Sequence, residues 1–144
     1  MNSANHMPNI IYHWLKKQGV NLDRQTLEAS LSNHPYYPSV FSVSDTLSDR
    51  LKITNYAIDI SNAGREMAAQ IPTPFMGLLK KDRQFVIVNR IDDQNVEYFD
   101  LVKNHKVKRF QFEEIWSGIS LVAFPDEKSG LAATLELKAQ RVRS

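Results

Sequence analysis

Residues 75–110 read FMGLLKKDRQFVIVNRIDDQNVEYFDLVKNHKVKRF, and this stretch decides the fold. Its apolar-rich segments, Phe75–Leu79, Gln84–Ile91, Val96–Asp100 and Val107–Phe110, are joined by the short loops KKDR, DDQN and VKNHK. Loops of that length cannot hold the crossover that parallel strands need, so the stretch predicts an antiparallel meander. Phe112–Ser117 then reads as a helical turn, and SLVAF at 120–124 as a last strand. Upstream, Tyr56, Ile58 and Ile60 alternate with polar neighbours, the period of a half-buried strand. A short helix over Arg65–Gln70 ends at Ile71-Pro72.

The period differs before residue 52. Ile10, Ile11, Trp14 and Leu15 recur at helical spacing, and Gly19 stops that helix near Gln18. Asn21 or Asp23 can cap a second helix carrying Leu27 and Leu31. Pro35 and Pro38 make HPYYP at 34–38 a rigid loop. Ser39 or Ser42 then caps a third helix with Val40, Val43, Leu47 and Leu51 on one face. Helices first and sheet second predict an α+β domain, with the helices packed on one face of an antiparallel sheet. Residues 1–7 read as a disordered or partly vector-derived start, 8–125 as the domain, and 126–144 as a linker and basic C-terminal helix leading out of it.

The chain has 144 residues, enough for one domain with a substantial core. Zero cysteines exclude thiol nucleophiles, Cys-ligated zinc and redox CxxC chemistry together. The net charge of +2 sits in residues 131–144, where Lys138, Arg141 and Arg143 face only Glu136. A neutral body with a basic tail is not the profile of a nucleic-acid binder. No apolar run is long enough to cross a bilayer.

Four histidines, His6, His13, His34 and His105, never stand at metal-ligand spacing, so they read as loop and surface residues and no metal or other cofactor is expected. Asp92-Asp93 reads as turn chemistry, and Glu113-Glu114 as negative charge in a first helical turn. Lys103, Lys106, Lys108 and Arg109, near Lys80, Lys81 and Arg83, form either a basic patch or the charged edge by which sheets avoid pairing with one another. Tyr36 and Tyr37, held between prolines, are candidate low-entropy contact residues or a cover for the core end of the third helix.

The order of elements resembles the bacteriocin-processing cysteine peptidases, papain-like double-glycine leader peptidases at the N-terminus of some ABC exporters. The likeness covers residues 6–125 and rests on the helix stop Gln18-Gly19, NYAIDI at 55–60, IPTPFMGLL at 71–79, Gln84-Phe85-Val86-Ile87, Tyr98-Phe99-Asp100 and Ile115-Trp116-Ser117-Gly118-Ile119. HPYYPSVFSVSDTL at 34–47 and FPDEKSG at 124–130 resemble a non-peptidase branch. There the domain precedes a vitamin K epoxide reductase-like membrane region with a thioredoxin-like domain, or an exporter.

The resemblance implies a nucleophile near His6, a general base at Gln84 and an orienting acid at Asp100. The first two residue types are lost, and a glutamine amide cannot take a proton near neutral pH. The resemblance therefore implies a pseudopeptidase that binds a peptide, an unfolded protein segment or a neighbouring domain of its parent membrane protein. Hemolysin-type exporters carry a comparable inactive domain. The expected groove lies between helices and sheet around Gln84, Asp100 and Trp116, with Asp100 left with no imidazole to orient. Residual hydrolysis, or a ligand-free assembly role, are the alternatives. The isolated domain is expected to be monomeric. A basic tail just before a membrane span would place it on the cytoplasmic side.

Overall fold

A computed structural model describes residues 3–62 and 65–126. Its elements run α1 Ser3–Lys17, α2 Arg24–Ser32, α3 Val40–Asp49, β1 Thr54–Asp59, a 3-10 helix Arg65–Gln70, β2 Phe75–Leu79, β3 Phe85–Ile91, β4 Asn95–Phe99, β5 Asn104–Lys108, α4 Arg109–Ile115 and β6 Trp116–Phe124. The strands form one antiparallel sheet in the order β1-β6-β2-β3-β4-β5. The meander read from residues 75–110 is therefore present as β2 to β5, and β6 returns to pair with both β2 and β1.

Alternation along the strands buries both faces. Met76, Leu78, Phe85, Ile87 and Leu121 point into the larger core, beneath α1, α2 and α3. There Ile10, Trp14, Leu15, Leu27, Leu31, Val43 and Leu47 bring the helical stripes read from the sequence. Phe75, Val86, Val88, Val96, Tyr98 and Val122 line a second core with Ala68, Phe112 and Trp116. The expectation of helices on a single face is thus extended: α4 and the 3-10 segment cover the other side.

Local chemistry fixes the helix starts. Asp23 caps α2, its carboxylate accepting from the Thr26 amide at 3.1 Å and the Thr26 hydroxyl at 3.0 Å. Ser39 caps α3 by accepting from the Ser42 amide at 3.0 Å. Each replaces a backbone partner that the first helical turn lacks. Asn55 ties α3 to β1: its amide nitrogen donates to the Ser44 carbonyl, the Ser48 hydroxyl and the Ile53 carbonyl, and its oxygen accepts from the Ser44 hydroxyl at 2.6 Å.

Several boundaries differ from the sequence reading. Helix α1 starts at Ser3, well before Ile10, and Pro8 lies inside it. His6 and Met7 are buried, so the expected disordered start is helical from Ser3 onward. The polar run of residues 1–7 carries no apolar period to signal a helix, and Pro8, which normally argues for a break, lies inside it. The strand expected at Val107–Phe110 is shifted to Asn104–Lys108, and α4 begins at Arg109. Gln111 makes that start by accepting from the Lys108 amide at 3.1 Å.

Strand β6 begins at Trp116 rather than Ser120, because Gly118 at φ +88° carries the chain past Ser61. A Cβ at Gly118 would stand 2.9 Å from the Ser61 backbone nitrogen. Edge strand β1 keeps the expected phase at Ile58 and Ile60 but departs from it at its start. Asn55 is buried and Tyr56 is exposed, edge-on to Phe124, while Ile58 and Ile60 pack partly against the second core. Apart from Asp126, the linker and C-terminal helix expected over 126–144 lie outside the described residues.

Candidate functional site

Helix α1 lies along β3, and this places the site. His6, in its N-terminal half, is 5% exposed, and its Nε2 lies 2.9 Å from the Phe85 carbonyl oxygen. Gln84 is the next residue back along the chain, half-buried at the mouth of the β2–β3 hairpin, where its carbonyl accepts from the Leu79 amide at 2.9 Å. In the β3–β4 pair Ile87 stands opposite Phe99, so Asp100 ends β4 at the same end of the sheet at which Gln84 precedes β3. The three positions of the expected triad are thus brought to one end of the sheet.

Asp100 is not idle, which corrects the sequence reading. Its Oδ2 lies 2.8 Å from Nε2 of His105 on β5, and its Oδ1 accepts from the Val102 and Lys103 amides at 2.9 Å each. Tyr98 stacks on the His105 ring at 4.5 Å and 12°. Burial works to raise the Asp100 pKa, but the Lys103 amide, the His105 ring, the Val102 amide and the His105 charge together outweigh it. The carboxyl is held below its ordinary value. Burial and then the Asp100 charge push the Tyr98 hydroxyl up. The register of the β4–β5 hairpin makes this pairing. Tyr98 opposite His105 across a tight hairpin puts residue 105 beside Asp100.

The other expected site residues divide. Trp116 stands away from any groove: it is 5% exposed, packs on Phe75 and Phe112, and donates from Nε1 to the Ile119 carbonyl at 3.2 Å. Burial there follows from starting β6 at residue 116, opposite Leu79. Tyr37 packs against the larger core, and burial, then the Glu28 charge, raise its pKa. Tyr36 is 68% exposed, lies edge-on to Phe41 and tilted against His34, and Phe41 is edge-on to His34.

Three histidines expected at loops and surfaces are held by partners instead. His6 contacts Phe85, His105 contacts Asp100, and His34 Nε2 lies 2.7 Å from Asp45 Oδ2. Arg109 also leaves the basic patch. It is 4% exposed, its Nε donates to Glu113 at 3.0 Å, and its Nη1 donates to the Asp92 carbonyl. Glu113 therefore answers a cation one turn back rather than the first turn of a helix. Asp92 acts as the turn residue expected, accepting from the Gln94 and Asn95 amides.

Helices that present the start of α1 to the end of an antiparallel sheet define a papain-like peptidase-type domain. The chain belongs to the peptidase C39 family, whose sequence profile matches residues 16–128. That match begins downstream of His6. The fold is similar to the peptidase domain of Streptococcus ComA, a bifunctional ABC transporter involved in quorum sensing, with TM-score 0.67 and 14% identity over 88% of this chain and 95% of that one. It is also similar to a double-glycine motif protease from an AMS/PCAT transporter in complex with its leader peptide, with TM-score 0.67 and 12% identity over 88% of each chain. A third likeness is the N-terminal peptidase C39-like domain of a toxin secretion ATP-binding protein from Vibrio parahaemolyticus, with TM-score 0.61, 12% identity, and 84% and 97% coverage. No curated protein sequence matches the chain.

Proposed function

We propose that this domain is a non-catalytic member of the family that binds a peptide or an unfolded protein segment between its helical half and its sheet. The observation that carries this reading is the Asp100–His105 pair. Base catalysis at residue 84 needs an imidazole with an acid behind it, and here glutamine occupies that position while the acid is held by another strand. No cysteine exists to act as nucleophile, and His6 at the corresponding place holds the Phe85 carbonyl. What is left is a surface at the end of the sheet with affinity but no turnover.

The parent would be a bacterial membrane protein, either an exporter or a reductase–thioredoxin fusion, with this domain on the cytoplasmic face. The C39 domains of exporters and the basic residues Lys138, Arg141 and Arg143 support that placement. Double-glycine leader peptides test the reading. Mass spectrometry after incubation should find no product, while NMR shifts should gather around His6, Gln84 and Asp100. A specific cleavage product, or shifts absent from that end of the sheet, would overturn it.

The exposed rings of Tyr36 and Phe41, packed around the partly buried His34, favour a second role, docking of a neighbouring domain of the parent. Replacing Tyr36 and Phe41 by alanine should then abolish association with that domain and leave the peptide-induced shifts unchanged.

A further inference from the structure

Strand β1 is one edge of the sheet, with β6 alone beside it. The Ile60 amide donates to the Gly118 carbonyl at 3.0 Å, which sets the phase of that ladder. In an antiparallel pair such bonds fall on alternate residues. Thr54, Tyr56 and Ile58 therefore exchange hydrogen bonds with Phe124, Val122 and Ser120. The N–H and C=O groups of Asn55, Ala57 and Asp59 point away from β6, and no backbone group among the described residues meets them.

The two edges of the sheet are not alike. On β5, Lys106 and Lys108 are exposed, and lysines of this kind keep sheet edges from pairing. On β1, TNYAID carries no lysine and no proline, and its register against β6 runs without a shift. Beside it, Tyr56 is 57% and Phe124 50% exposed, edge-on to each other at 6.0 Å. These rings extend the face on which Ile58 packs against the second core. An open ladder takes only extended backbone, and a ring shelf beside it asks for an apolar side chain at the alternating position.

We propose that β1 pairs with β1 of a second copy of this chain, antiparallel about a two-fold axis at Ala57. Asn55 then faces Asp59 of the second copy, Ala57 faces its own counterpart, and every outward N–H and C=O finds a partner. An axis at Tyr56 or Ile58 would leave part of that ladder unmatched. On the shelf side Tyr56 stands opposite Ile58 twice by symmetry, an aromatic against a β-branched side chain. Asp59 is the only charge in the strand and meets an uncharged amide, so no like charges oppose each other. The pairing departs from the monomer expected from the sequence, and it does not depend on peptide binding at the Gln84 end.

Sedimentation velocity of the whole chain at rising concentration should show a monomer–dimer equilibrium. Hydrogen exchange at the Asn55, Ala57 and Asp59 amides should slow as the dimer forms, while the Lys106 amide on the opposite edge stays unchanged. Ala57→Pro removes an outward N–H and no bond to β6, so it should give a folded monomer. Tyr56→Lys, at an exposed position, should weaken the dimer about tenfold, because both symmetric pairs with Ile58 are lost. A monomer at every concentration, or exchange that slows elsewhere and not in β1, would overturn the proposal. If Ala57→Pro does not fold, Tyr56→Lys decides, and an undiminished dimer in that variant would sink the pairing.

Discussion

Oδ2 of Asp100, at the end of β4, lies 2.8 Å from Nε2 of His105 on β5. One carboxylate thus closes the β4–β5 turn through two amides and secures the edge strand through an imidazole. The carboxylate that the resemblance assigned to a catalytic triad is committed here to the β4–β5 hairpin.

Asp100→Asn should destabilise the domain near neutral pH by about 1–2 kcal/mol, the lower part of the range for hydrogen bonds to a charged group because the carboxylate is partly exposed to solvent. The sign of the pH dependence follows from a folded pKa below the unfolded value. Stabilisation by Asp100 is complete above the unfolded value of about 3.9 and is lost as pH falls through the lower folded value. Urea denaturation from pH 7 to pH 2.5 should therefore show the wild type and variant converging at the acid end.

His6→Cys with Gln84→His rebuilds two of the family's residue types, yet it should leave leader peptides uncut. The new imidazole would compete with His105 for Asp100, so its tautomer and direction would be unfixed. Adding His105→Asn frees the carboxylate, and any cleavage should appear first in that triple variant. Robust turnover by the double variant would contradict the assignment of Asp100 to His105.

Trp116→Ala should cost about 3–5 kcal/mol, as for a large aromatic removed from a core. Leader-peptide shifts should persist under conditions where the variant remains folded. Thermal melts and NMR on the same sample separate this outcome from a groove residue, which would lose binding with little loss of stability.

Gly19 and Gly118 both have positive φ, at +84° and +88°. A Cβ at Gly19 meets nothing within 4 Å, whereas at Gly118 it meets Ser61 backbone atoms at 2.9 and 3.0 Å. Gly19→Ala should cost about 1–2 kcal/mol for the left-handed backbone alone. Gly118→Ala should cost distinctly more, because the β1 end must also move. Equal chemical-denaturation midpoints would show that the approach to Ser61 relaxes freely.

The sequence by itself determined the types of the elements and the antiparallel meander of β2 to β5. Helical stripes at Ile10–Leu15 and Val43–Leu51, and short loops between Phe75 and Lys108, are local signals: side-chain period reports the element, and loop length reports strand direction. The absent cysteine and Gln84 were legible in the same way, because residue identity needs no coordinates. Only the tertiary structure decided what the site residues touch. His6 could not be matched to Phe85, 79 positions away, before α1 was laid along β3. Asp100 could not be given to His105 before the β4–β5 register was known, and Trp116 moved from groove to core when Gly118 let β6 start early. Period and loop length are properties of neighbours along the chain. A hydrogen bond is set by atoms within about 3 Å in space, and that proximity is created only when the sheet and its helices pack.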